Sequence, residues 1–276
     1  WESDGALSLL ASFEAQDYAS SPAPLVARID SSYRYTSYYP TLIASGVWSN
    51  VQSPITAVSP EDGVTAGFTA RERFQSGSAA RQTLSVVANG TAYKSFDFPG
   101  FSHHALAFYG AVGFLDNKAT DYLDLGGVSG STIVLAPGMV LGEGRLTFPV
   151  RGFAPGTLFG TRAYAASAEY RLPLALIDAG HGLLPFFLDR TSLSGFYDQG
   201  SAWCASVLPQ GAVCRDPALT QLHTLSSAGA ELNVTAAVLD WDTPYRFRAG
   251  LAFPTRGRAL VGAPQVVSYF SLGLSF

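Results

Sequence analysis

The feature that most constrains this chain is an alternation of side-chain character with a period of two residues, repeated from end to end. A strand throws successive side chains to opposite faces, so such a segment is a strand with two different surroundings. The clearest case sets Tyr245, Phe247, Ala249, Leu251 and Phe253 against Arg246, Arg248 and Gly250. Leu7, Leu9, Ala11, Phe13 and Ala15 are likewise set against Ser8, Ser12, Glu14 and Gln16. Val64, Ala66, Phe68 and Ala70 oppose Thr65, Thr69, Arg71 and Arg73. About eleven such strands are expected, over residues 7–16, 25–36, 39–48, 64–73, 83–91, 105–114, 164–172, a stretch ending near 203, 228–238, 245–253 and 270–276. A turn is expected at Asp178-Ala179-Gly180.

What fills the two faces decides the environment. In a water-soluble sandwich the polar face would be rich in lysine and glutamate. Here it carries Ser, Thr, Gly, Arg and single acids, while the apolar face is continuous and rich in Tyr, Phe and Leu. Charged residues make up only 14% of the chain, against about a quarter in an ordinary soluble domain. No apolar run approaches the roughly 18–20 residues of a membrane helix, whereas strands of about 9–11 residues are enough to cross a bilayer. The pattern therefore predicts an all-β fold, a transmembrane antiparallel β-barrel with a lipid-facing outside and a polar lumen. Closure is expected, because an open edge in lipid strands backbone polar groups. Tyr33, Tyr35, Tyr170 and Tyr245, near strand ends, suit an aromatic girdle at the membrane interface. The net charge of −4 and the scattered basic residues argue against nucleic acid as a partner.

Periodicity stops between residues 116 and 158, where glycine dominates. A connection that long has a job of its own or marks a misread element. It ends on Val150-Arg151-Gly152-Phe153, and the next two strands each place one acid, Glu169 or Asp198, among small and aromatic neighbours. An arginine at a loop tip and two carboxylates on adjacent strands predict an internal ion-pair cluster that holds the loop. The competing reading leaves Arg151 solvated and both acids lining a wet interior.

The segment YFSLGLSF puts Phe270, Leu272, Leu274 and Phe276 on one face, with Gly273 among the opposing residues, and ends on an aromatic. It looks like the assembly signal of bacterial outer-membrane barrels. With it, VRGF at 150–153, Gly160 followed by EYRLP at 169–173, and FYDQG at 196–200 stand in the order of three motifs of one family. The chain thus resembles the BamA/TamA/FhaC superfamily of outer-membrane translocases, the bacterial surface-antigen barrels. The resemblance implies a sixteen-stranded barrel whose long inward loop precedes the fifth strand from the carboxy terminus. It also implies that Arg151 pairs with Glu169 and Asp198 inside the lumen. Localisation in the outer membrane follows, with lipid and client polypeptides or other envelope proteins as partners. The role implied is non-enzymatic: insertion or translocation of proteins, or membrane anchoring of an envelope assembly, through a weakly closed seam between first and last strands. The alternative is a passive pore or structural barrel plugged by the motif loop, with Arg28, Arg34, Arg71, Arg73, Arg246 and Arg248 favouring anions. Only about six strands precede the loop where the family has eleven, so either the barrel is smaller or amino-terminal strands are absent from this chain. POTRA-like or propeller modules are likewise not recognisable, and residues 1–276 read as one barrel domain.

Other chemistry finds little support. His103-His104 lacks a third metal ligand close in sequence. Gly126-Gly127-Val128-Ser129-Gly130 precedes no helix that could present a phosphate site. Neither a cofactor nor a metal is expected, and no catalytic constellation is recognised. Cys204 and Cys214 flank a short polar loop, reading as a disulfide in an oxidising compartment or else as two free thiols.

Overall fold

The alternating segments form one long antiparallel sheet. The computed structural model describes residues 3–18, 35–54, 56–74, 83–116, 122–128, 133–136, 139–141, 147–180, 186–207, 214, 216–238 and 245–274. Five strands come first: β1 Asp4–Tyr18, β2 Tyr35–Ser49, β3 Gly63–Arg73, β4 Thr83–Phe96 and β5 His104–Leu115. The long connection follows and carries five short strands of its own. These are β6 Leu123–Leu125, β7 Ile133–Ala136, β8 Met139–Leu141, β9 Thr147–Phe148 and β10 Leu158–Gly160. The chain then returns to the main sheet with β11 Arg162–Gly180, β12 Phe186–Trp203, β13 Leu225–Val238, β14 Tyr245–Arg256 and β15 Val267–Leu274. The main sheet has ten strands in the order β1-β2-β3-β4-β5-β11-β12-β13-β14-β15. Five strands follow the loop, as the resemblance implies.

Ten strands form the main sheet among the described residues; the strand expected at 25–36 lies outside them except for Tyr35 and Thr36, which open β2. Two differences from the expectation have physical reasons. The stretch at 116–158 is not structureless, because β10-β6-β9 and β7-β8 make two small sheets of their own. Strands of two to four residues are too short to show a period. The turn at Asp178 is a bulged continuation of β11, with register shifts at 173/175 and 176/179 and a positive φ at Asp178. A bulge absorbs an extra residue without ending the strand.

The inversion of faces is explicit in β5. Ala105 and Ala107 are 1% and 3% exposed, whereas Phe108 and Val112 are 52% and 59% exposed. The small side chains face in and the large ones face out. Leu193, Tyr197, Leu232, Leu251 and Phe253 continue the exposed apolar face across β12, β13 and β14. Phe96, Phe98, His104 and Tyr170 join it as a ring cluster with centroids 5.1–6.2 Å apart in succession, near one rim of the sheet. Among the described residues β1 and β15 do not pair with each other, so the ten-stranded sheet ends on two free edges.

The inner face of β5, β11 and β12 receives the long connection. Leu123, Leu125, Phe148 and Val150 are fully buried against Ala111, Ala163, Ala165 and Ala202. Burial of each such side chain contributes about 1.5–3 kcal/mol. The wall must be small to admit them. A Cβ at Gly113 would lie 2.5 Å from the Phe148 ring and 2.7 Å from Leu123 Cδ1. The neck of the connection is closed by the Leu115 amide donating to the Thr161 carbonyl at 2.8 Å, with the Arg162 guanidinium donating to the carbonyls of Leu115 and Thr161.

Candidate functional site

The loop tip at residues 150–153 meets side chains from several strands of the inner face. Val150 seats in the apolar cluster and Gly152 turns the chain at a φ of +88°, a conformation glycine adopts without a steric cost. A Cβ at Gly152 would also come within 3.0 Å of Ala252 Cβ on β14. Between these two anchors the Arg151 side chain is driven into the inner face.

Its guanidinium forms a fork on Asp198 of β12, with Nε donating to Oδ2 and Nη2 to Oδ1, both at 2.7 Å. The Arg151 amide donates to the same Oδ2 at 3.0 Å. Ser167 of β11 completes a ring, accepting from Nη2 at 3.0 Å and donating to Asp198 Oδ1 at 2.7 Å. Nη1 lies 2.7 Å from Glu169 Oε1 and 3.7 Å from Glu231 Oε2 of β13. The guanidinium plane covers the Phe196 ring at 3.6 Å, and the Ser227 hydroxyl of β13 donates to the Arg151 carbonyl. Arg151 and Asp198 are 7% and 2% exposed by side chain, so the pair is largely out of water. A bidentate arginine–carboxylate fork satisfies planar geometry as well as charge, which a lysine could not do.

The second layer ties the clamp to the rest of the sheet. Arg171 donates to Glu169 Oε2 through Nε at 3.0 Å and Nη2 at 2.7 Å. Tyr269 of β15 donates to Glu231 Oε2 at 2.8 Å. Asn233 donates to Ser194 at 3.1 Å and accepts from Arg246 Nε at 3.1 Å. Strands β11, β12, β13, β14 and β15 thus all touch residues 151–152 directly or through one intermediary.

Arg151, Glu169 and Asp198 meet here, as do Val150, Gly152 and Phe153 at the loop tip. Four partners escaped the sequence reading: Ser167, Ser227, Glu231 and Tyr269. Glu231 was visible only as one more acid on an inward face, and Tyr269 as one more aromatic near the carboxy terminus. Their cross-strand register relative to the loop tip is what selects them. Of the carboxy-terminal residues, Phe270 is outward and exposed; Leu272, Gly273 and Leu274 lie in β15, and Phe276 lies outside the described residues. Cys204 and Cys214 are bonded to each other with Cα atoms 5.7 Å apart and are both buried. The Cys204 amide donates to Leu219 at 2.8 Å and that of Ala205 to Thr161 Oγ1 at 3.2 Å, so this loop is fastened to the neck of the long connection.

A second polar group occupies one rim, away from the clamp. Glu61 Oε2 is 2.7 Å from His103 Nδ1, and Asp62 Oδ1 is 2.8 Å from Lys94 Nζ. The Glu61 hydrogen bond and charge raise the His103 pKa above the usual histidine value, with Asp97 and Asp62 adding to the shift. Hydrogen bonds from Lys94 and Ser95 lower that of Asp62. Among the described residues no group of three or more His, Cys, Asp or Glu is arranged to hold a metal ion.

No protein-family model matches the chain, and no curated protein does. Among solved structures, the chain resembles the crystal structure of BamA from Haemophilus ducreyi lacking POTRA domains 1-3, with a TM-score of 0.57 at 14% identity. The match covers 99% of this chain and 51% of that one, so the chain spans about half the length of that BamA structure. The fold is therefore that of a BamA-like barrel, with ten strands in its main sheet.

Proposed function

We propose that residues 1–276 are an outer-membrane β-barrel domain with a non-enzymatic role in handling polypeptides: inserting them, translocating them, or anchoring an envelope assembly. The observation that carries the reading is the Arg151 clamp. One loop tip is fixed by strands on the carboxy-terminal side, while among the described residues the first and last strands are not paired with each other. That combination supplies a rigid wall beside an edge free to accept a strand. Exposed Leu7, Leu9 and Leu10 on β1 suit contact with lipid or with a client's apolar face. Of the described connecting residues, 50–54, 56–62 and 97–103 are at one end of the sheet, and 204–207, 216–224 and 257–266 at the other, with the neck residues 116 and 161. Outer-membrane barrels keep short turns on the periplasmic side and long loops outside. The disulfide and the neck of the motif loop would then face the exterior.

A reconstitution assay tests the reading. Purified protein in liposomes should accelerate the folding of an unfolded outer-membrane barrel client several-fold over empty liposomes, scored by heat-modifiable gel mobility. The second reading, a passive pore, draws on Arg171, Arg246 and Arg248 of the inner face. Steady large anion-favouring conductance in planar bilayers, with no acceleration of client folding, would favour that pore and overturn the proposal.

A further inference from the structure

The connection between β2 and β3 is unlike the other described short one. It does not simply turn back from one strand to the next. Gln52 and Asp62 pair as an isolated bridge, with Gln52 N–H donating to Asp62 at 2.8 Å and Glu61 N–H to Gln52 at 2.9 Å. The Ala57 amide donates to Pro54 at 2.9 Å, so the tip is itself a turn. From this base the segment reaches across to β12. Its far contact is Arg190 of β12, whose Nη1 donates to the Ala57 carbonyl. Arg190 lies in register with Thr235 and two residues from Ser192, both buried inward-facing positions, so the contact is on the inner side.

The near end is fastened separately. Glu61 is buried, with Oε2 against His103 Nδ1 at 2.7 Å and Oε1 within 3.5 Å of Ser102 Oγ. Asp62 accepts from Lys94 and from the Ser95 hydroxyl. Two walls of the sheet, the β4–β5 rim and β12, are therefore bridged by one segment lying across the inner side of the end that carries the shorter connections.

We propose that residues 50–54 and 56–62 form a lid over this mouth of the lumen, held shut by Glu61 on His103 at one end and Arg190 on Ala57 at the other. It closes the lumen from the end opposite the neck of the motif loop. The inference holds whether the barrel handles polypeptides or conducts ions.

The latch depends on charge. Burying the Glu61 carboxylate is costly unless a cation faces it, and His103, half-exposed, is that cation when protonated. The other charged groups facing the pair are Asp97, with Oδ1 3.8 Å from His103 Nε2, and the Asp62–Lys94 pair. With its folded-state pKa raised, His103 contributes fully below the ordinary histidine value, and the contribution is lost as pH rises through the raised value. The lid is thus shut at mildly acidic pH and loosens on the alkaline side.

Limited proteolysis of the full chain in detergent micelles with a Glu-specific protease reads this directly, because Glu61 is both latch and cleavage site. Rates are normalised to unfolded chain, and folding is checked by heat-modifiable mobility. Cleavage after Glu61 should be several-fold faster at about pH 9 than at about pH 6. His103→Ala should be cleaved fast at both values. Arg190→Ala should speed cleavage at both while keeping the pH dependence, since it releases only the far end. A wild type equally protected at both pH values, or a folded His103→Ala protein as protected as wild type, overturns the proposal.

Discussion

The two halves of this sheet share one strand pattern but not one interior. Every buried hydrophobic residue among those described lies at Ala105 or later. Before that point the buried residues are all polar: Thr41, Ser59, Glu61, Arg73 and Thr83. The difference is the inserted connection. Strands β5 and β11–β15 enclose it and gain an apolar cluster and an ion-pair clamp; of β1–β4, β4 packs Val87 against that cluster. Alternation alone makes a wall. A wall becomes a packed body only where chain is folded back inside it.

If that contrast governs stability, the largest effect should come from removing Arg151. Arg151→Ala leaves Asp198 and Glu169 facing each other in a largely dry interior without their shared cation. Breaking one partner of a buried pair costs about 3–5 kcal/mol, and the loss should appear as a lower midpoint in urea unfolding. Hydrogen exchange should rise in β11–β15 and stay unchanged in β1–β4. Arg151→Lys keeps the charge but not the fork and should fall between the two. Uniform destabilisation across all ten strands would break the division into halves.

The glycines sharpen the comparison at smaller scale. Gly113 and Gly67 both face inward, on β5 and β3. A Cβ at Gly113 collides with Phe148 and Leu123, whereas one at Gly67 would find only Asn89 Oδ1 at 3.4 Å and the Gly46 carbonyl at 3.5 Å. Gly113→Ala should therefore destabilise by about 1–3 kcal/mol through overpacking. Gly67→Ala should be near neutral, within about 1 kcal/mol, because an extended residue loses the entropy penalty of glycine. Paired urea titrations of the two variants test this; equal losses would mean that the connection does not set the packing.

Much of this division could be read before any coordinates. The inward and outward sets on β3, β5, β13 and β14 follow from the period of two, because a polar inner face and an exposed apolar one take opposite side chains at adjacent positions. Arg151, Glu169 and Asp198 were legible because an arginine at a loop tip, between Val150 and Gly152, needs carboxylate partners. Glu231 and Tyr269 were not, since their role depends on how deeply the loop enters and on cross-strand register, neither of which has a local signature. The lid was equally invisible. Glu61 and His103 are 42 residues apart, and nothing near either position announces the other. Closure was expected, yet among the described residues β1 and β15 do not pair with each other, because alternation specifies what a strand faces and not which neighbour completes it.

The smallest expected effect sits at the rim of the half that lacks the inserted loop. Lys94 and Asp62 pair at 2.8 Å, but Lys94 is 67% exposed, and such surface pairs contribute about 0–1 kcal/mol. Hydrogen bonds from Lys94 and Ser95 set the Asp62 pKa below the usual aspartate value. A depressed folded-state pKa gives stability that is present above the unfolded value and is lost as pH falls through the folded one. Lys94→Ala should thus lower the urea midpoint only slightly at neutral pH, and the gap from wild type should close on acidification below about pH 4. Raising salt at neutral pH should close the same gap, since an exposed pair is screened. The Arg151→Ala deficit should resist salt, because its partners are shielded from solvent. A Lys94→Ala loss as large and as salt-resistant as that of Arg151→Ala would mean that the rim, and not the inserted loop, carries the stability of this sheet.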